Sequence, residues 1–117
     1  MIHTVLLVED EEDLRESMRD ALELNGYTVV AGRDGQEALV ELDRIEHVCL
    51  VLLDLIMPRM NGWVVFEKMR ARPALAAVPV IVHSSAPGAA PRGVTRVLQK
   101  PLAFERLLSV VHEFCAQ

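Results

Sequence analysis

Short apolar runs alternate along the chain with stretches in which apolar residues recur every three or four positions. The runs are Thr4-Val5-Leu6-Leu7-Val8, Tyr27-Thr28-Val29-Val30-Ala31, Cys49 through Asp54, the Pro79-led Val80-Ile81-Val82-His83, and Thr95-Arg96-Val97-Leu98. Most show no polar alternation, as expected of strands buried on both faces of a parallel sheet. Between them, Leu14, Met18, Ala21 and Leu22 predict a first helix, opened by an Asp13/Glu16 capping box and stopped at Asn25-Gly26. A second helix carries Ala38, Leu39 and Leu42 behind an Asp34/Glu37 box. A third starts near Gly62 with Val65, Phe66 and Met69 inward, and gathers Lys68, Arg70 and Arg72 before Pro73. Phe104, Leu107, Leu108, Val111 and Phe114 predict the last. The stretch Ala86 to Gly93 holds too much Pro and Gly for a full helix, so the crossover between the fourth and fifth strands is short or lacks its helix.

Strands alternating with helices imply right-handed crossovers and one parallel α/β sheet, with every carboxyl end on the same edge. That edge is where open α/β sheets bind ligands, and it is polar here. Glu9 and Asp10, Asp54, Ser84 and Lys100 each follow an apolar strand. Asp54 is followed by Pro58 and Asn61-Gly62, which hold off the next helix and leave a fixed loop beside the carboxylate. Taken alone, Asp54 reads equally well as a turn or cap residue.

Composition narrows the chemistry. The 117 residues suit one domain, and 51% hydrophobic residues with only 4% aromatics mean a core of Val, Leu, Ile, Ala and Met. A net charge of −5 argues against wrapping nucleic acid, and no run is long enough to span a membrane. The apolar amino-terminal run, Val5 to Val8 with Ile2 before it, is too short for a signal peptide. Cys49 and Cys115 have neither metal-ligand spacing nor the look of a disulfide framework, so they read as buried or incidental thiols of a reducing compartment, and the expected location is cytoplasmic. Three carboxylates within ~4 Å would repel by roughly 4 kcal/mol per pair at an effective dielectric of 20, and so call for a proton or a cation. All-oxygen donors without His or Cys favour Mg²⁺, with Mn²⁺ as the alternative. A hydroxyl and a compact ammonium, Ser84 and Lys100, suit the outer oxygens of a phosphoryl group.

The segments VLLVEDEEDLRE, LLDLIMPRMNG, PVIVHSS and QKPL, in that order, resemble the CheY-like receiver domains of two-component response regulators. The resemblance covers nearly the whole chain. It implies a flavodoxin-like, doubly wound sheet of five parallel strands in the order 2-1-3-4-5, with residues 1–117 a single receiver domain without an output domain. It also implies that Asp54 is the phosphoacceptor for a phosphohistidine on a histidine kinase or phosphotransfer protein. Glu9, Asp10, Asp54 and the Ile56 carbonyl would hold Mg²⁺, Ser84 would be the switch hydroxyl, and Lys100 would pair with the phosphate. The peptide before Pro101 would be cis, which is affordable only before proline. The output would be a surface that docks a downstream protein, with no direct contact to nucleic acid or membrane.

Several residues depart from that pattern. The stretch from Ser84 to Lys100 is shorter than is usual in the family, and Val97 stands where it usually carries the switch aromatic. His83 precedes the switch serine and reads as a core or partly exposed strand histidine, with a role beside the phosphate as the rarer alternative. Glu11, Glu12 and Asp13 read as favourable charge at a helix N-terminus rather than extra ligands. Trp63 reads as packing, close enough in sequence to Asp54 to report on metal. Two rival functions stand beside the receiver. One is a degenerate receiver that binds protein without phosphorylation. The other is an aspartate-nucleophile phosphatase of the haloacid dehalogenase type, disfavoured because Ile56 occupies the place of its second Asp. A dinucleotide-binding domain is weaker still, because no G-x-G-x-x-G follows the first strand.

Overall fold

The computed structural model describes residues 4–115, leaving Ile2 of the amino-terminal reading outside the described residues. Its order is β1 (Thr4–Val8), α1 (Glu12–Leu24), β2 (Thr28–Gly32), α2 (Gly35–Arg44), β3 (Leu50–Asp54), α3 (Gly62–Arg70), β4 (Val80–Ser84), a 3-10 turn (Pro87–Ala89), β5 (Arg96–Gln99) and α4 (Phe104–Phe114). The strands form one parallel sheet ordered β2-β1-β3-β4-β5. The central strands β1, β3 and β4 are buried along their whole length, which is why their sequences show no polar alternation.

The period of two survives in which side of the sheet each residue faces. Val5, Leu7, Leu50, Leu52, Ile81 and Leu98 pack with Met18 and Leu22 of α1 and Leu107, Val110 and Val111 of α4. Leu6, Val8, Val51, Leu53, Val80 and Val82 pack with Ala38 and Leu42 of α2 and Val65, Phe66 and Met69 of α3. Helices thus cover both faces and leave the carboxyl edge open.

The structure corrects three expectations. First, α1 starts at Glu12, and its cap residue Glu11 makes no side-chain cap bond, so Asp13 lies inside the helix. The Glu11 amide instead donates to the Glu9 carboxylate (2.9 Å), and the Arg15 guanidinium donates to the Glu9 carbonyl (3.0 Å). The turn is therefore held from the strand side, and no capping box is needed. Second, Asp34 caps α2 through the Glu37 amide (2.9 Å), but Glu37 reaches the amide and guanidinium of Arg33 rather than completing the reciprocal box. Third, Cys49 and Cys115 are not separate thiols. They form a disulfide, with Cα atoms 5.6 Å apart, that ties the residue before β3 to the end of α4. Only the folded chain brings together two cysteines 66 residues apart in sequence.

The fourth crossover has the expected form, a single 3-10 turn in place of a helix. It is tied to α3 twice: Trp63 Nε1 donates to the Ala89 carbonyl (2.8 Å) and the Arg70 guanidinium donates to the Arg92 carbonyl (3.1 Å). Arg70 also lies over the Phe66 ring. Arg72 pairs with Asp43, so the basic end of α3 is only partly a free solvated face. No helix among the described residues is long and apolar enough to cross a membrane.

Candidate functional site

Parallel pairing sets Val8 beside Leu53 and Leu53 beside Val82, so the residues that follow these strands emerge together. Glu9, Asp10 and Asp54 each offer an oxygen, and these oxygens lie within 4.8 Å of one another. Glu9 is fully buried, Asp54 nearly so, and Asp10 is exposed. Lys100, which follows β5, places Nζ 2.9 Å from Glu9 Oε1 and 3.4 Å from Asp54 Oδ2. The Lys100–Pro101 peptide is cis.

The charges are unevenly held. Burial pushes the Glu9 carboxyl up, but hydrogen bonds from His83, the Glu11 amide and Lys100 outweigh it and hold Glu9 at about 2. Asp54 is pushed up to about 7 by burial and by the Glu9 charge, with Lys100 only partly offsetting them. Its one backbone donor, the Ile56 amide, stands at 3.4 Å. Without a metal, Glu9 therefore carries the charge and Asp54 competes for a proton. Lys100 is lowered by burial and raised more strongly by the two carboxylates, so it stays an ammonium.

The loop after Asp54 is held by its own backbone and by α2. Gly62 donates to the Leu55 carbonyl (2.8 Å), and a Cβ at Gly62 would meet the Asp54 carbonyl oxygen at 2.4 Å, so only glycine lets the helix start so close. Arg59 takes a positive φ of 65°, and its Nε donates to Asp34 Oδ2 (2.7 Å). Ile56 is 59% exposed on the loop's outer side.

Ser84 is fully buried, and its Oγ accepts from the Ala86 amide (3.0 Å). The neighbouring strand ends are tied by the Lys100 amide donating to the Ser84 carbonyl (2.9 Å). Val97 does not join the site. It lies on the edge strand, 37% exposed.

Three site contacts were not anticipated. His83 is fully buried, and its Nε2 stands 3.0 Å from Glu9 Oε1. Burial lowers the imidazole's pKa against the opposing pull of Glu9. Arg15 grips the Glu9 and Asp10 carbonyls, and Arg59 reaches across to Asp34. Strand parity offered a signal for the first, because His83 pairs in register with Asp54. For the other two no sequence signal was present, since long side chains can turn many ways.

The site fits a hard divalent cation. Its donors are oxygens, its anionic charge is concentrated by burial, and no thiol or imidazole lies within the donor triplet.

A family model described as the response regulator receiver domain matches residues 5–112. The chain belongs to this family. Response regulator MprA of Mycolicibacterium vanbaalenii is 34% identical over 111 residues, covering 90% of this chain and 47% of MprA. The receiver domain thus spans about half the length of the curated relatives it matches. A response regulator receiver protein from Pseudomonas putida shares the fold at a TM-score of 0.88 with 28% identity, over 97% of this chain and 98% of that one. The response regulator TrrA of Thermotoga maritima, solved in complex with Mg²⁺–BeF, superposes at a TM-score of 0.85 with 23% identity, over 97% of this chain and 99% of the other, and this likeness concerns the fold alone. The acidic cluster of Glu9, Asp10 and Asp54 thus lies at the carboxyl edge of a receiver-domain sheet.

Proposed function

We propose that this receiver domain accepts a phosphoryl group on Asp54 from a phosphohistidine of a histidine kinase or phosphotransfer protein. The observation that carries the reading is the arrangement of Glu9, Asp10 and Asp54 around a shared point with Lys100 Nζ beside two of them. An Asp54 oxygen attacks phosphorus, the P–N bond to the donor imidazole breaks, and the leaving nitrogen keeps the electron pair and takes up a proton. Glu9, Asp10, Asp54 and the Ile56 carbonyl would hold Mg²⁺, or Mn²⁺ in its place. Bound there, the ion supplies charge neutralisation for the phosphoryl oxygens.

The chain's own groups supply the rest. The Asp54 side chain is almost wholly buried, with Oδ2 facing Lys100 Nζ at 3.4 Å. Lys100 is within reach of Asp54 and can exchange its bond to Glu9 for one to a phosphoryl oxygen. Ser84 Oγ is tied to Ala86 at the start of the short fourth crossover, so a hydroxyl that turns to the phosphate releases that segment. With Val97 at the aromatic position, that segment rather than a rotating ring carries the change outward to a docking surface for a downstream protein. The domain turns over no separate substrate and acts only on its own phosphorylation and dephosphorylation. We place the reaction in the cytoplasm with its kinase.

Intact-mass analysis after exposure to acetyl phosphate, with and without Mg²⁺, tests the reading on wild type and Asp54→Asn. A Mg²⁺-dependent phosphoryl adduct confined to the wild type supports it. No adduct on wild type, or an adduct retained by Asp54→Asn, refutes it and leaves the phosphorylation-independent docking module.

A further inference from the structure

His83 is out of place in its strand. Val80, Ile81 and Val82 before it are apolar, and an apolar side chain would satisfy the same buried position. The imidazole is fully buried, and its Nδ1 has no hydrogen-bond partner. Such a bare acceptor weighs against the residue unless the other nitrogen compensates. Nε2 does, at 3.0 Å from Glu9 Oε1. Glu9 Oε1 also faces the Lys100 ammonium at 2.9 Å and Oε2 takes the Glu11 amide, so both oxygens accept; the hydrogen is then on Nε2, and the bare lone pair on Nδ1 follows from the same tautomer.

Glu9 Oε1 therefore has two donors, His83 and Lys100, while Oε2 has the Glu11 amide. The two donors on Oε1 differ in kind. Lys100 also faces Asp54 and can leave, whereas His83 is fixed inside the sheet. We propose that His83 is a positioning residue for the metal carboxylate: its Nε2–H holds the orientation of Glu9 for the divalent cation, and keeps Oε1 bonded when Lys100 moves to a phosphoryl group on Asp54. Metal-site histidines commonly ligate while a carboxylate orients them, and here the order is reversed. The inference rests on the metal reading given above.

The test is calorimetric titration of Mg²⁺ into wild type, His83→Leu and His83→Gln, with folding monitored by circular dichroism. Gln can place an amide N–H where Nε2 stands, and Leu fills the space without a donor. His83→Leu is expected to bind Mg²⁺ about 10- to 100-fold more weakly, the range for losing an orienting partner, while His83→Gln stays near wild type. At saturating Mg²⁺, His83→Leu should regain most of its labelling by acetyl phosphate. Wild-type affinity in His83→Leu overturns the role. Equal weakening in His83→Gln and His83→Leu also overturns it, since imidazole shape rather than the N–H would then matter. Should His83→Leu not fold, His83→Asn replaces it, because its shorter amide reaches the Nδ1 position. Tighter Mg²⁺ binding by His83→Gln than by His83→Asn supports the role, and equal binding refutes it. A wild type that gives no Mg²⁺ signal overturns the metal reading and this inference with it, a result distinct from a loss confined to the variants.

Discussion

The Arg59 guanidinium closes on the buried carboxylate of Asp34, Nε to Oδ2 at 2.7 Å. One end of this pair sits on the loop after β3, and the other caps α2. Burial raises the Asp34 carboxyl, but the Glu37 amide and Arg59 more than offset it, so the group stays ionised. Asp34→Ala removes both the cap and the tie, with an expected cost of about 1–2 kcal/mol. Arg59 is 55% exposed, so Arg59→Ala is expected to cost less, about 1 kcal/mol or below. Urea denaturation of both variants measures the order, and a larger loss in Arg59→Ala contradicts it.

The Asp54 carboxyl, at about 7 against 3.8 for a free side chain, binds its proton more tightly in the folded than in the unfolded state. Stability of the metal-free protein is therefore expected to fall as pH rises from about 4 to about 7, and to level off above. Glu9 acts oppositely and lower. Held at about 2, it contributes stability above 4.5 that is lost as pH drops through about 2. With the Asp54 carboxylate as a ligand, as proposed, Mg²⁺ affinity should climb with pH to about 7 and then flatten. Thermal melts without divalent ions and calorimetry with them check the two trends. Asp54→Asn should remove the decline in stability between these limits.

Lys100 acts as a resident cation against Glu9 and Asp54. Lys100→Ala is expected to lower the stability of the metal-free protein, because two facing carboxylates lose their counter-charge. The same change should tighten Mg²⁺ binding by about fivefold, the equivalent of about 1 kcal/mol, because a competitor is gone. Some labelling of Asp54 should persist while the spectral change on phosphorylation disappears. Weaker Mg²⁺ binding in the variant argues against the competition.

The Cys49–Cys115 disulfide closes a loop with a sequence separation of 66. Chain entropy assigns such a closure about 4 kcal/mol. Reduction, or Cys115→Ser, is expected to lower the urea midpoint substantially, and mass analysis after alkylation identifies the pair. A midpoint unchanged by reduction would mean that native packing alone secures α4 against the sheet.

Much of this fold could be read before folding, for physical reasons that differ by residue. Val5 to Val8 and Leu50 to Leu53 announce their strands because burial on both faces leaves no place for polar groups. Asp54 and Lys100 could be placed because a parallel sheet puts all strand ends on one edge. The failures concern contacts that depend on distant geometry. Asp13 looked like a cap because a local spacing rule cannot see the Glu9 side chain taking the Glu11 amide. His83, which reads as a core or partly exposed strand histidine, is fully buried, and its partner escapes a local reading because that bond reaches 74 residues back along the chain. The disulfide was missed for the same reason.

The turn Pro87–Ala89 has a further consequence for how this protein could be rebuilt. A Cβ at Gly88 would meet nothing within 4 Å, and both flanking stretches run along the surface. Each doubling of a flexible loop costs only about 0.6 kcal/mol, so this crossover is an open port for a grafted segment. A peptide inserted at Gly88 would begin four residues from Ser84, next to the Ala86 amide that donates to Ser84 Oγ. A crossover reduced to a single 3-10 turn thus leaves room for an added segment.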